Sequence, residues 1–185
     1  MRYNRINNSL YIKNRKKYQG KVESNSVSVF VSNDELPTNA DELLPFVQNT
    51  NLLYLTGIDQ EDTYLIIAPQ FPDRRMREIL FIKKTSEEIA IWEGNKLSKK
   101  EASEISGIET VLWNDQFEKI LALILAESKN IYLDKNEHIR SVTEVETAQD
   151  RFISKIESKF PTYEIKRSYP ILSENRMIKR EEEIS

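Results

Sequence analysis

The sequence predicts an α/β domain, a mixed β-sheet flanked by helices, on three observations. An alternating run at 26–32 and nearly unbroken apolar runs at 63–68 and 78–82 follow one another closely, as strands of one sheet do. Beyond residue 100, short apolar runs alternate with helical periodicity, the pattern of crossover units on a sheet. With 185 residues, 39% of them hydrophobic and 31% charged, the chain can bury roughly 70% of the surface it exposes unfolded.

The elements justify themselves in chain order. Ser9 is placed to cap a helix through Leu10–Tyr18, with Gly20 at its far end and the basic run Lys13–Lys17 against the negative end of the helix dipole. Ser26 to Ser32 alternates and then thickens into apolar residues, a strand with one face more buried than the other. A polar loop then leads to Leu44-Pro45-Phe46-Val47-Gln48-Asn49-Thr50-Asn51-Leu52-Leu53-Tyr54-Leu55-Thr56-Gly57, the stretch around which the chain is organised. Here Leu52 to Leu55 reads as a strand buried on both faces, with Pro45 before the ladder, Asn49 to Asn51 turning the chain in, and Thr56-Gly57 ending it at positive φ. Thr63–Ala68 and Glu78–Ile82 follow as central strands joined by a proline-rich turn.

Ser86 to Gly94 predicts about two helical turns, and Ser98 a further helix to Ser106 with Gly107 just past its end. Val111-Leu112-Trp113 is a short strand. From Asn114 runs the clearest helix, with Phe117, Ile120, Leu121, Ile124 and Leu125 on one face. Asn130 to Leu133 is a strand, and Val142, Val145, Ala148, Phe152, Ile156 and Phe160 mark a second amphipathic helix stopped by Pro161. Arg176 to Ser185 is charged and helix-forming.

Composition excludes several functions. A net charge of -3 leaves no basic footprint for nucleic acid or anionic lipid, so neither is expected as a partner. No run approaches a membrane span, the first residues lack an apolar signal core, and the absence of cysteine removes thiol chemistry; a cytoplasmic location is the expectation. The single histidine, His138, sits in a polar segment and reads as a solvated loop residue rather than a ligand. Four glycines, spaced far apart, make no phosphate-binding loop. The chain therefore carries no expected catalytic or metal-ligating residue.

Several of these residues also carry a resemblance. Pro45, Phe46, Gln48, Asn49 and then Tyr54, Leu55, Thr56 and Gly57, followed by Ile91-Trp92-Glu93-Gly94 and the terminal Lys179-Arg180-Glu181-Glu182-Glu183-Ile184, resemble the N-terminal domain of the Xaa-Pro aminopeptidases (aminopeptidase P), in the creatinase and prolidase superfamily. Asn14-Arg15 in the first helix and Leu80-Phe81 are similar to it as well. Val47 stands where the family often carries arginine, and Leu52-Leu53 replaces a more aromatic pair.

The resemblance implies a ribonuclease H-like mixed sheet over residues 1–172, with 173–185 starting a linker helix into a catalytic domain outside this sequence. It implies a parent that releases the N-terminal residue from peptides with proline in second position. Two divalent metal ions, of the manganese type, would sit in that catalytic domain, and this chain would hold no cofactor. Homodimers or higher homo-oligomers are implied, with Trp92 lent to the substrate pocket of a neighbouring subunit. Read from the residues alone, Trp92 suits a buried core position equally well. A prolidase parent, or a stand-alone binding module of the same fold, are the alternatives. A nuclease of that fold would need converging acids, and the central strands carry none.

Overall fold

Six strands form one sheet in the order β4-β3-β2-β1-β5-β6. The structure, a computed structural model, describes residues 6–86, 94 and 96–184. The strands are β1 (Ser26–Val31), β2 (Tyr64–Ile67), β3 (Glu78–Ile82), β4 (Thr110–Trp113), β5 (Asn130–Leu133) and β6 (Glu164–Arg167). The first three run antiparallel as a meander, while β4 joins β3 in parallel and β5 and β6 extend the sheet in parallel from β1. This is the mixed, ribonuclease H-like sheet that was expected, with an added strand beside β3.

Alternation along the strands divides the core into two layers. Val27, Val29 and Val31 of β1, with Ile66, Ile79 and Phe81, meet helices α4 (Phe117–Leu125) and α5 (Ala148–Lys159) on one face. Phe117 centres that layer, stacked on Tyr64 at 4.4 Å between ring centroids and edge-on to Phe81 at 5.3 Å. On the other face Phe30, Leu65, Ile67, Leu80 and Ile82 meet α1 (Ser9–Gln19), α2 (Thr50–Thr56), α3 (Lys99–Ser106) and α6 (Tyr169–Met177). The charged outer strand β6 is tied down at its rim: Lys166 pairs with Glu23 at 2.6 Å, and Arg167 Nε donates to Glu137 at 2.8 Å.

The structure corrects four expectations. Leu52 to Leu55 is not a strand; it lies in α2, because Asn49 caps a helix there and Leu52 and Leu55, three apart, share the buried face. The helix expected from Val142 begins only at Ala148, where Thr147 and Asp150 form a reciprocal capping box, and Val142 and Val145 stay exposed in the preceding loop. Arg176 to Ser185 is not one helix: α6 ends at Met177 and a single 3-10 turn follows at Glu181–Glu183. Strand β6 and most of α6 were not foreseen, although Pro170 in the first turn of α6 marks a helix start. The interior of the helix expected over 86–94, Trp92 included, lies outside the described residues. Among the described residues no helix is long and apolar enough to cross a membrane.

Candidate functional site

The stretch from Gln48 to Gly57 is a closed loop-helix-loop unit, and each polar residue in it has a mechanical task. Gln48 is buried and donates through Nε2 to the carbonyls of Ile58 at 3.2 Å and Gln60 at 2.8 Å, so one side chain ties the entrance of α2 to its exit. The Asn49 side-chain oxygen accepts from the N–H groups of Asn51 (2.9 Å) and Leu52 (3.0 Å), satisfying donors that a helix start leaves free. At the far end Thr56 Oγ1 donates to the Leu52 carbonyl at 2.7 Å and accepts from Ile58 N–H at 3.1 Å. Gly57 closes the helix at φ 71°, a left-handed position, and the Tyr11 ring covers it so closely that a Cβ would lie 2.3 Å from its Cε2 atom. Pro45 is exposed and Phe46 half-buried at the entrance.

Beside this unit lies a buried polar seam that joins three distant segments. Asp134, at the end of β5 and only 5% exposed, accepts from Asn51 Nδ2 at 2.9 and 3.2 Å and from Asn49 Nδ2 at 3.5 Å. Burial pushes its carboxyl up to about 6, against the opposing pull of those amide donors and of Arg176. Arg176 of α6 donates through Nη1 to Asn51 Oδ1 at 2.7 Å and lies 5.6 Å from the centre of the Tyr54 ring. Both Asp134 oxygens thus face amides of the chain itself, which suits an anchor and not a proton acceptor for an incoming molecule. A recess of about 1190 Å³ opens beside the seam, between the loops around Asn33 to Asn51 and Asp134 to Thr147.

A buried cation, Arg15, organises another side of α2. Arg15 is fully buried; it donates Nε to Glu78 at 2.8 Å and Nη1 to the carbonyls of Leu55 (2.8 Å) and Ser106 (2.9 Å). Those carbonyls end α2 and α3, and the two helix ends share a design: a hydroxyl residue bonding back four positions, a left-handed glycine, then a buried isoleucine. Asn14 adds a bond from Nδ2 to the Tyr54 carbonyl at 3.0 Å.

Residues 11–132 match the family described as aminopeptidase P, N-terminal domain. The chain belongs to that family. It is 26% identical over 163 residues to an Xaa-Pro aminopeptidase of Haemophilus influenzae, a match covering 88% of this chain and 35% of the relative. Human Xaa-Pro aminopeptidase 3 is 24% identical over 123 residues, covering 65% of this chain and 24% of the relative. A solved structure described as a candidate aminopeptidase P from Bacillus anthracis superposes with a TM-score of 0.84 at 28% identity, over 97% of this chain and 42% of that one. This aminopeptidase P domain thus spans about a third or less of the length of these curated relatives.

Within the aminopeptidase P domain, Gln48, Asn49, Tyr54, Leu55, Thr56 and Gly57 come together on and around α2. Arg176, from the Arg-x-Ile-Lys segment near the far end of the sequence, reaches the same helix. Sequence reasoning did not single out Asp134 or its link to Asn51, because nothing local marks an aspartate at a strand end as a long-range acceptor. Gly94 lies apart, exposed at φ 77°. His138 is exposed in its loop, where Nδ1 accepts from the Arg140 N–H at 3.2 Å. Among the described residues no group of three or more His, Cys, Asp or Glu is placed to hold a metal ion. The arrangement is one of buried structural hydrogen bonds.

Proposed function

We propose that this chain is the non-catalytic N-terminal domain of a metal-dependent Xaa-Pro aminopeptidase, which releases the N-terminal residue from peptides with proline in second position. The observation that carries the reading is the family match over residues 11–132, joined to relatives that are named Xaa-Pro aminopeptidases and are far longer than this chain. Residues 1–172 form the domain, and 173–185 carry the chain toward the peptidase half. Two divalent ions, of the manganese type, belong to that half; the described residues of this chain offer no ligand set for them. The domain's own contributions are contacts in a homodimer or larger assembly and, through Trp92, one wall of a substrate pocket. A flat indole suits the ring of a proline residue and loses little rotamer entropy on binding. The setting is cytoplasmic.

The experiment has two arms. The gene product extending past Ser185 is expected to hydrolyse Xaa-Pro peptides longer than two residues when supplied with manganese, and Trp92→Ala to raise its KM more than it lowers kcat. The 185-residue chain is expected to hydrolyse none. Metal-dependent turnover by the shorter chain refutes the reading, and cleavage restricted to dipeptides reassigns the parent as a prolidase.

A further inference from the structure

The turn that follows α2 grips two points of the chain that are distant in sequence. Glu61 in this turn keeps only 7% of its side chain exposed and forms ion pairs with Lys83, at 3.6 Å, and with Lys96. Both lysines meet the same carboxylate oxygen, Oε1, and they are themselves 25% and 17% exposed. Lys83 comes directly after β3 and Lys96 shortly before α3, so the two bracket residues 84–95, the segment that carries Trp92. Beside Glu61, the Gln60 side-chain oxygen accepts from the Leu97 N–H at 2.8 Å, a further tie at the same end.

The gripping turn is itself fixed. Gln60, Glu61 and Thr63 are all buried. The Gln60 carbonyl accepts from Gln48 Nε2 and from Thr63 Oγ1, both at 2.8 Å. Thr63 in turn meets Ser32 just past β1: its carbonyl accepts from Ser32 N–H at 2.9 Å and its own N–H donates to Ser32 Oγ at 3.2 Å. Gln48, a residue of the family motif, thus braces the point at which Lys83 and Lys96 converge. The pair of Lys84 with Asp115 is of another kind, 3.7 Å apart with side chains 63% and 54% exposed, where water leaves such a contact little to contribute. At Glu61 the surroundings are largely dry. Removing its charge withdraws the counter-charge the two ammonium groups share and leaves them to repel one another.

We propose that Glu61 is a positioning residue: by drawing Lys83 and Lys96 onto one oxygen it fixes both ends of the segment 84–95, and so sets where Trp92 meets the peptide. The inference rests on the functional reading above, which gives Trp92 its place at a substrate pocket. Joining the ends of a segment removes conformations that it would otherwise give up on meeting a ligand. The contribution therefore falls on substrate binding and not on the chemical step.

The test uses the gene product extending past Ser185 as wild type, Glu61→Gln, Trp92→Ala and the double variant. KM and kcat are measured on an Xaa-Pro tripeptide with manganese, and hydrogen exchange at the Leu97 amide on the same samples. Glu61→Gln keeps the side-chain volume and removes the charge. It is expected to raise KM at least fivefold with kcat within twofold, and to speed Leu97 exchange at least tenfold. In the Trp92→Ala background it should raise KM no further. An unchanged KM in Glu61→Gln, where Trp92→Ala raises it, overturns the proposal. So does an undiminished KM effect in the double variant, because Glu61 then acts through some other contact, and so does Leu97 exchange that stays slow. Absence of hydrolysis by the wild type, or a Trp92→Ala variant with unchanged KM, removes the functional reading and the link to substrate; fast Leu97 exchange in Glu61→Gln then leaves the hold on the segment ends standing. Should Glu61→Gln fail to fold, Lys96→Gln removes one of the two partners and is expected to shift KM and Leu97 exchange in the same directions, and no shift in either overturns the proposal.

Discussion

Replacing Arg15 by methionine isolates the contribution of one buried cation to the whole helical face. The methionine fills most of the vacated volume, so the loss is chiefly electrostatic: an ion pair to Glu78 and two charge-assisted bonds, to the carbonyls of Leu55 and Ser106. Taken singly, bonds to a charged donor contribute about 1.5–3 kcal/mol each. Their plain sum overstates the cost, since Glu78 keeps 27% side-chain exposure and recovers hydration once released. The two carbonyls recover less, ending helices whose last turns are buried. We expect a loss of about 3–5 kcal/mol, the range for removing one partner of a buried pair. Urea unfolding followed by far-UV circular dichroism would read it as a lower midpoint at unchanged slope. Glu78→Gln in a double-mutant cycle should couple to it by only about 1–2 kcal/mol, because the two carbonyl bonds survive the loss of the carboxylate. A cost below about 1 kcal/mol for Arg15→Met would refute the reasoning. Coupling that accounts for the entire cost would refute it equally, by showing that the helix ends contribute nothing.

Two further comparisons test the unit around α2. Gly57→Ala and Gly94→Ala both place a side chain at positive φ, 71° and 77°, but the first drives a Cβ into the Tyr11 ring and the second meets nothing within 4 Å. The second should cost about 1–2 kcal/mol for the backbone alone and the first clearly more, seen as a larger drop in Tm; equal drops would deny Tyr11 its place over the glycine. For Asp134 the sign follows from a folded value of about 6 above the ordinary 3.8. Its contribution to stability is fully present below about pH 4 and is lost as pH rises through about 6, a change of about 3 kcal/mol. Unfolding midpoints of wild type and Asp134→Asn should therefore move apart over that interval, the wild type losing ground as pH rises, and a constant difference would contradict the burial of this carboxyl.

Strands β1, β2, β3 and β5 were legible because their largely apolar runs, buried on both faces, leave little ambiguity. Four apolar residues at Leu52 to Leu55 are compatible with either period, and the flanking Asn49 and Gly57, which fit a helix cap and stop over that span, decide for the helix. Thr147 and Asp150 likewise marked a helix start that the valines before them obscured. Strand β6 escaped notice because Glu-Ile-Lys-Arg carries little apolar content and pairs along one side only. Of the site, Gln48, Asn49 and Gly57 were visible as a motif, while the tasks they perform depend on partners such as Ile58, Gln60 and Tyr11 that the chain brings in. The Asp134–Asn51–Arg176 seam joins residues more than 80 positions apart in one link and more than 120 in the next, beyond the reach of local pattern.

The rim of the sheet at β6 bears on how this protein behaves in crowded solution. A bare outermost strand offers its unsatisfied amides and carbonyls to any similar strand that drifts past, and the charged side chains of Glu164, Lys166 and Arg167 make that encounter unfavourable because they would have to give up water. Growth of the sheet from molecule to molecule is thereby discouraged, and self-association is steered toward helices and loops, whose contacts can be specific and finite.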